Sequence, residues 1–168
     1  FNAVALVGRR GFGGLDLSGT RDLTAHAVAF EPDADGVVDA FVEFWTPAET
    51  LVERAKQDRV PYEAWVKAGH VIATPGRAVD YSFVAHRLGE LQQEFSVEAV
   101  AFDPYRIKYF EADLAASGIE LKLVPHGQGY FKASNAEAKA EANTSGAEPP
   151  PDLWMPHSIE LLESLVLK

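Results

Sequence analysis

Apolar and polar residues alternate through three early segments of the chain. Phe12–Leu17 (FGGLDL), Leu23–Phe30 (LTAHAVAF) and Val37–Trp45 (VVDAFVEFW) each read as a strand. The acidic stretch Glu31–Asp35, closed by Gly36, joins the second to the third as a hairpin. In the third, Val38, Ala40, Val42 and Phe44 form the expected apolar face. Three strands connected this tightly predict an antiparallel meander.

The period then lengthens. Leu51–Asp58 and Tyr62–Ala68 read as short helices, with Val71–Ala73 a brief strand before the Pro75-Gly76 turn. Asp80 can cap a helix running to about Glu94, whose inner stripe is Val84, Leu88, Leu91 and Phe95. Val97–Phe102 (VEAVAF) is a buried-type strand ending on Asp103. Pro104 stands at a favoured first helical position, and Ile107, Phe110 and Leu114 supply the next inner face. Gly118 stops that helix, and Ile119–Val124 returns as a strand. Ser158 can cap a last helix with Ile159, Leu162 and Val166 along one side. This order predicts an α/β fold: a mixed sheet, built from the meander and βαβ units, with helices on both faces.

The stretch 132–152 breaks the pattern. It is rich in alanine, carries Pro149-Pro150-Pro151, and reads as a flexible loop or insertion. With 168 residues, the chain is expected to form one domain that buries roughly 70% of its unfolded surface. The absence of cysteine removes disulfides, thiol nucleophiles and thiolate zinc sites. No apolar run approaches the roughly 20 residues of a membrane helix, and no signal peptide opens the chain. It starts at Phe1 rather than Met, as an excised or processed piece would. A net charge of −10 argues against nucleic-acid binding by bulk charge alone.

Some candidate chemistry fails on inspection. Gly8–Gly14 (GRRGFGG) lacks the Lys and hydroxyl of a phosphate loop and precedes a strand instead of a helix, so it reads as a flexible turn. Ser18 has no strained elbow and no evident base. Asp16 is different. Leu15 and Leu17 flank it, so its carboxylate lies on the opposite face of its strand, either accepting local hydrogen bonds or ligating metal. Asp103 closes an apolar strand, where ligand sites form in open sheets, although Asp before Pro also makes a good helix cap. Together the two could hold Mg²⁺ or Mn²⁺ through oxygen, as phosphoryl-transfer chemistry requires. Asp22 can add an outer contact or cap its own turn, and Asp80 reads as a cap. His126 (PHGQG), just past a strand end beside glycines, reads either as a structural or solvated loop residue or as one that approaches the metal site or a phosphate.

Four blocks in register resemble the nuclease domain of the large subunit of tailed-phage terminases. They are GLDLSGTRDLTA (14–25), RVPYEAWVKAGHVIATPGRAVDY (59–81), VAFDPYR (100–106) and VPHGQGYFKAS (124–134), with MPHSIELLESLVLK similar to a following helix. The resemblance implies an RNase H-like fold. It also implies a divalent-metal-dependent endonuclease that cuts concatemeric double-stranded viral DNA by a two-metal displacement. Asp16 and Asp103 then match the catalytic metal ligands, and Asp22 the recurrent second aspartate of the opening motif. Arg21, Arg77, Arg106 and Lys132 are the basic residues expected to meet DNA.

The family carries a third metal-binding aspartate, expected beyond Lys168, since Glu160 and Glu163 read as exposed helix positions. The implied partners are the terminase ATPase domain, the small terminase subunit and the portal, in the host cytoplasm. Two other readings stand beside this one. The chain could be another RNase H-like nuclease or recombinase, or a docking module whose metal site is catalytically incomplete.

Overall fold

The computed structural model describes residues 3–20, 22–104, 106–128 and 153–167. A short 3-10 turn, Ala3–Leu6, leads into strands β1 (Arg10–Asp16), β2 (Thr24–Phe30) and β3 (Ala40–Pro47). Helices α1 (Leu51–Asp58) and α2 (Tyr62–Lys67) follow, then β4 (Ile72–Thr74), α3 (Tyr81–Glu94) and β5 (Ser96–Phe102). The chain continues through α4 (Ile107–Ser117), β6 (Leu123–Gly127), β7 (Leu153–Trp154) and α5 (Met155–Val166).

Among the described residues the strands form one seven-stranded sheet in the order β4-β3-β2-β1-β5-β6-β7. β1, β2 and β3 pair antiparallel, which is the expected meander. β1 pairs β5 in parallel, β5 pairs β6, and β6 pairs β7. β3 pairs β4 in parallel as well, joined through α1 and α2. The sheet is therefore mixed, with helical crossovers at β3-α1-α2-β4 and β5-α4-β6.

Cover on the two faces is unequal. Leu15, Trp45, Val84, Leu88, Val100, Phe110 and Leu114 pack into one cluster, so α3 and α4 seal a single face. A second cluster of Leu6, Val28, Phe30, Leu91 and Phe95 extends that core toward the start of β1. On the opposite face Phe12, Gly14, Ala27, Ala29 and Val42 are exposed. α5 has no buried residue, and Met155 at its start lines a cavity on this open side.

Several local expectations are corrected. Gly11, Gly13 and Gly14 do not form a turn; they lie inside β1, which begins at Arg10, while Gly8 alone makes the turn at φ +73°. The reason is space. A Cβ on Gly13 would stand 2.8 Å from His26 Nε2 and 3.0 Å from Val100 Cγ2. In β3 the pairing sets Glu43 opposite His26 and Phe41 opposite Val28, so residues 41, 43 and 45 turn toward α3. Val38, Ala40 and Val42 are exposed instead of forming the apolar face.

Pro104 does not open α4. The helix starts at Ile107 behind Arg106, which holds φ 65° as its N-cap, so Asp103 is not a helix cap. β6 begins four residues later than Ile119, and His126 lies within it. Ile119 and Leu121 pack on the core as flanking residues. Ser158 lies inside the first turns of α5, which is capped by Trp154 and entered through Pro156. Asp80 does cap α3, accepting from the Ser82 amide. The stretch 132–152 falls outside the described residues.

Candidate metal centre

The parallel register builds the site. Leu15 pairs Phe102 across β1 and β5, both turned into the core. The next residue on each strand, Asp16 and Asp103, therefore falls on the open side at the strands' carboxyl ends. Both line a cavity of ≈ 340 Å³ whose floor is Gly14, Ala25, Ala27 and Ala101. Small side chains keep it shallow and open. His126, Gln128 and Met155 form its far wall.

Asp16 also borders a second cavity of ≈ 350 Å³, lined by Ser18, Gly19, Thr20, Asp22 and Arg106. The loop between β1 and β2 is pinned from several sides. The Ser18 amide donates to Thr24 Oγ1 at 3.0 Å, and Ser18 Oγ donates to the Asp22 carbonyl at 2.6 Å. Tyr81, the first residue of α3, donates its hydroxyl to the Ser18 carbonyl at 2.6 Å. The Val79 amide donates to the Gly19 carbonyl at 3.1 Å, tying this loop to the one that carries Arg77. Asp22 accepts from the Leu23 amide at 2.8 Å.

Negative charge accumulates at Asp16. Its carboxyl is raised above the usual range by partial burial first, then by the charges of Asp22 and Asp103. Such a group favours binding a cation, or a proton in its place. The donors are hard carboxylate oxygens, the kind Mg²⁺ and Mn²⁺ prefer. Among the described residues no group of three or more His, Cys, Asp or Glu is gathered to hold a metal. Two carboxylates nevertheless fit Mg²⁺, which keeps several waters and is bound through one or two carboxylates plus substrate phosphate.

The basic candidates separate. Arg106 reaches the second cavity, whereas Arg77 is exposed in the loop before α3 and lines neither cavity. Arg21 and Lys132 lie outside the described residues. Glu160 and Glu163 are exposed on α5, away from the lining of both cavities. Sequence reasoning missed Tyr81, Thr24 and Ser18 as the loop's anchors. A Ser/Thr cluster flanking the loop was the available signal, but its long-range partner on α3 was not.

Comparison with known proteins agrees with this architecture. The family of terminase large subunit endonuclease domains matches residues 1–143. The terminase large subunit of Enterobacteria phage HK97 is 49% identical over 122 residues, 73% of this chain and 24% of that protein. The crystal structure of the HK97 large terminase superposes with a TM-score of 0.66 at 41% identity, over 85% of this chain and 30% of that one. The chain thus spans about a quarter of the curated relative's length. A family match over most of the chain, with the same fold around its paired strand-end aspartates, makes it a member of the terminase large subunit endonuclease-domain family.

Proposed function

We propose that the chain hydrolyses phosphodiester bonds of concatemeric double-stranded viral DNA, with Mg²⁺ or Mn²⁺ held at Asp16 and Asp103. The observation that carries this is the Leu15–Phe102 pairing, which sets two carboxylates side by side at the mouth of an open cavity. Bound there, divalent cations would supply an activated water and neutralise the departing oxygen. Asp16 and Asp103 hold the ions, and the pinned Ser18–Asp22 loop holds Asp16 in place. Asp22 strengthens the negative field at Asp16 from the second cavity.

Arg106, beside that cavity, meets a DNA phosphate, with Arg77 on the adjoining loop at the rim. Cations at the carboxylates also reverse the local field, which answers the objection raised by a net charge of −10. The terminase ATPase domain, the small subunit and the portal are the proposed partners, in the host cytoplasm. No helix among the described residues is long and apolar enough to cross a membrane.

Plasmid nicking in Mn²⁺ tests the reading. Asp16→Asn and Asp103→Asn should each lower the rate by about 10²-fold or more, and undiminished cleavage by both variants refutes it. The two-carboxylate set supports a second reading, a docking module that binds metal weakly. Mn²⁺ binding with no nicking by the unaltered chain would favour it.

A further inference from the structure

A third polar side chain stands level with the two aspartates. Phe102 pairs Pro125 across β5 and β6, just as Leu15 pairs Phe102 across β1 and β5. The residues that follow are Asp16, Asp103 and His126, at or just past the carboxyl ends of three adjacent parallel strands, and all three line the open cavity. We propose that His126, oriented by Ser158, contacts a phosphate of the bound DNA strand beside the one at the carboxylate pair. The proposal rests on the nuclease reading above.

The spacing decides what kind of contact this is. Neighbouring strands lie about 4.8 Å apart, so the His126 backbone is one strand from Asp103 and two, about 10 Å, from Asp16. No three-residue metal group forms among the described residues. His126 thus stands beside the carboxylate pair, on the side where the next phosphate of a bound strand would lie. Its Nε2 lies 2.9 Å from Ser158 Oγ, in the first turns of α5. That bond fixes the ring of a half-buried side chain before DNA arrives, so little rotamer freedom is lost on contact. Gly14 and Ala101 leave the floor between the aspartates and the ring low enough for a sugar-phosphate strand to lie across it. If the His126–Ser158 bond only fastens α5 to β6, the ring is indifferent to DNA, and this is what the experiment must separate.

The test is histidine ring NMR on the ¹⁵N-labelled chain, titrated with a short DNA duplex in Ca²⁺ buffer, beside binding curves for His126→Gln and Ser158→Ala. We expect the His126 ring resonances to move saturably. We expect His126→Gln to weaken binding by about 3- to 10-fold, and Ser158→Ala by less. If the duplex binds and moves other resonances while those of His126 stay fixed, the proposal fails, and His126 only fastens α5. Absence of any saturable shift overturns it equally. The wild-type titration decides even if His126→Gln does not fold. Nicking by Asp16→Asn and Asp103→Asn judges the nuclease reading separately.

Discussion

The guanidinium of Arg106 lies against Gly19 so closely that a Cβ there would stand 2.6 Å from Nη1 and 2.8 Å from Cζ. Arg106 holds this place from a left-handed backbone at φ 65°, a conformation that costs a non-glycine residue about 1–2 kcal/mol. Backbone strain beside a cavity mouth is the pattern of a functional position. Gly19→Ala should push the flexible guanidinium aside with little loss of stability, within about 0.5 kcal/mol. DNA affinity should fall as far as it does in Arg106→Ala, and the slope of log K against log salt should drop by about one in each. Anisotropy titrations across salt concentrations check this; an unchanged slope in both variants contradicts it.

Gly13 sits under a tighter constraint. Its neighbours, His26 Nε2 at 2.8 Å and Val100 Cγ2 at 3.0 Å from a would-be Cβ, are buried ring and branch atoms with nowhere to swing. Gly13→Ala should therefore destabilise the fold by about 1–3 kcal/mol. Urea denaturation measures it, and a neutral result would show that the sheet relaxes at this point.

His26 is 1% exposed, and neither ring nitrogen has a hydrogen-bond partner among the described residues. Burial, and then the nearby charge of Arg87, lower its pKa from 6.5 to about 4. The unfolded chain thus binds the proton more readily than the fold does. Stability from this residue is complete above pH 6.5 and lost as pH falls toward 4, by about 2 kcal/mol between pH 7.5 and pH 5. His26→Leu should remove that dependence and be neutral or stabilising at pH 7.5, since no satisfied hydrogen bond is lost. Urea midpoints at the two pH values, for both proteins, provide the check.

Arg87 ties the same region together. Glu43 on β3 receives its Nε and Nη2 at 2.8–3.0 Å, and hydrogen bonding to Glu43 chiefly raises the guanidinium's pKa. Arg87→Met should leave the half-buried Glu43 without this partner and destabilise the fold by about 1–3 kcal/mol. A shift in the thermal midpoint reads it out, and no change would show that Glu43 is solvated well enough alone.

The carboxylate pair was legible because each aspartate interrupts an apolar strand end, and such an interruption is a local signal. Other features depend on partners far along the chain. Val38, Ala40 and Val42 alternate as well as Phe41 and Trp45 do, and a one-residue choice of register exchanges the faces. Only pairing with β2 decides it. The glycines of β1 carry no apolar period, and their reason is the bulk of His26 and Val100 across the sheet. Asp103 looked like a cap because Pro104 favours a helix start, but the left-handed Arg106 delays the helix to Ile107. The row from Asp16 to His126 emerges only when three strands are in register.

The central claim is that Asp16 and Asp103 jointly hold catalytic cations. Anomalous diffraction from crystals of the chain soaked in Mn²⁺ tests it most directly. A peak between the two carboxylates, lost in Asp16→Asn, is the predicted result. Peaks confined to other acidic residues, with none at this pair, would contradict it.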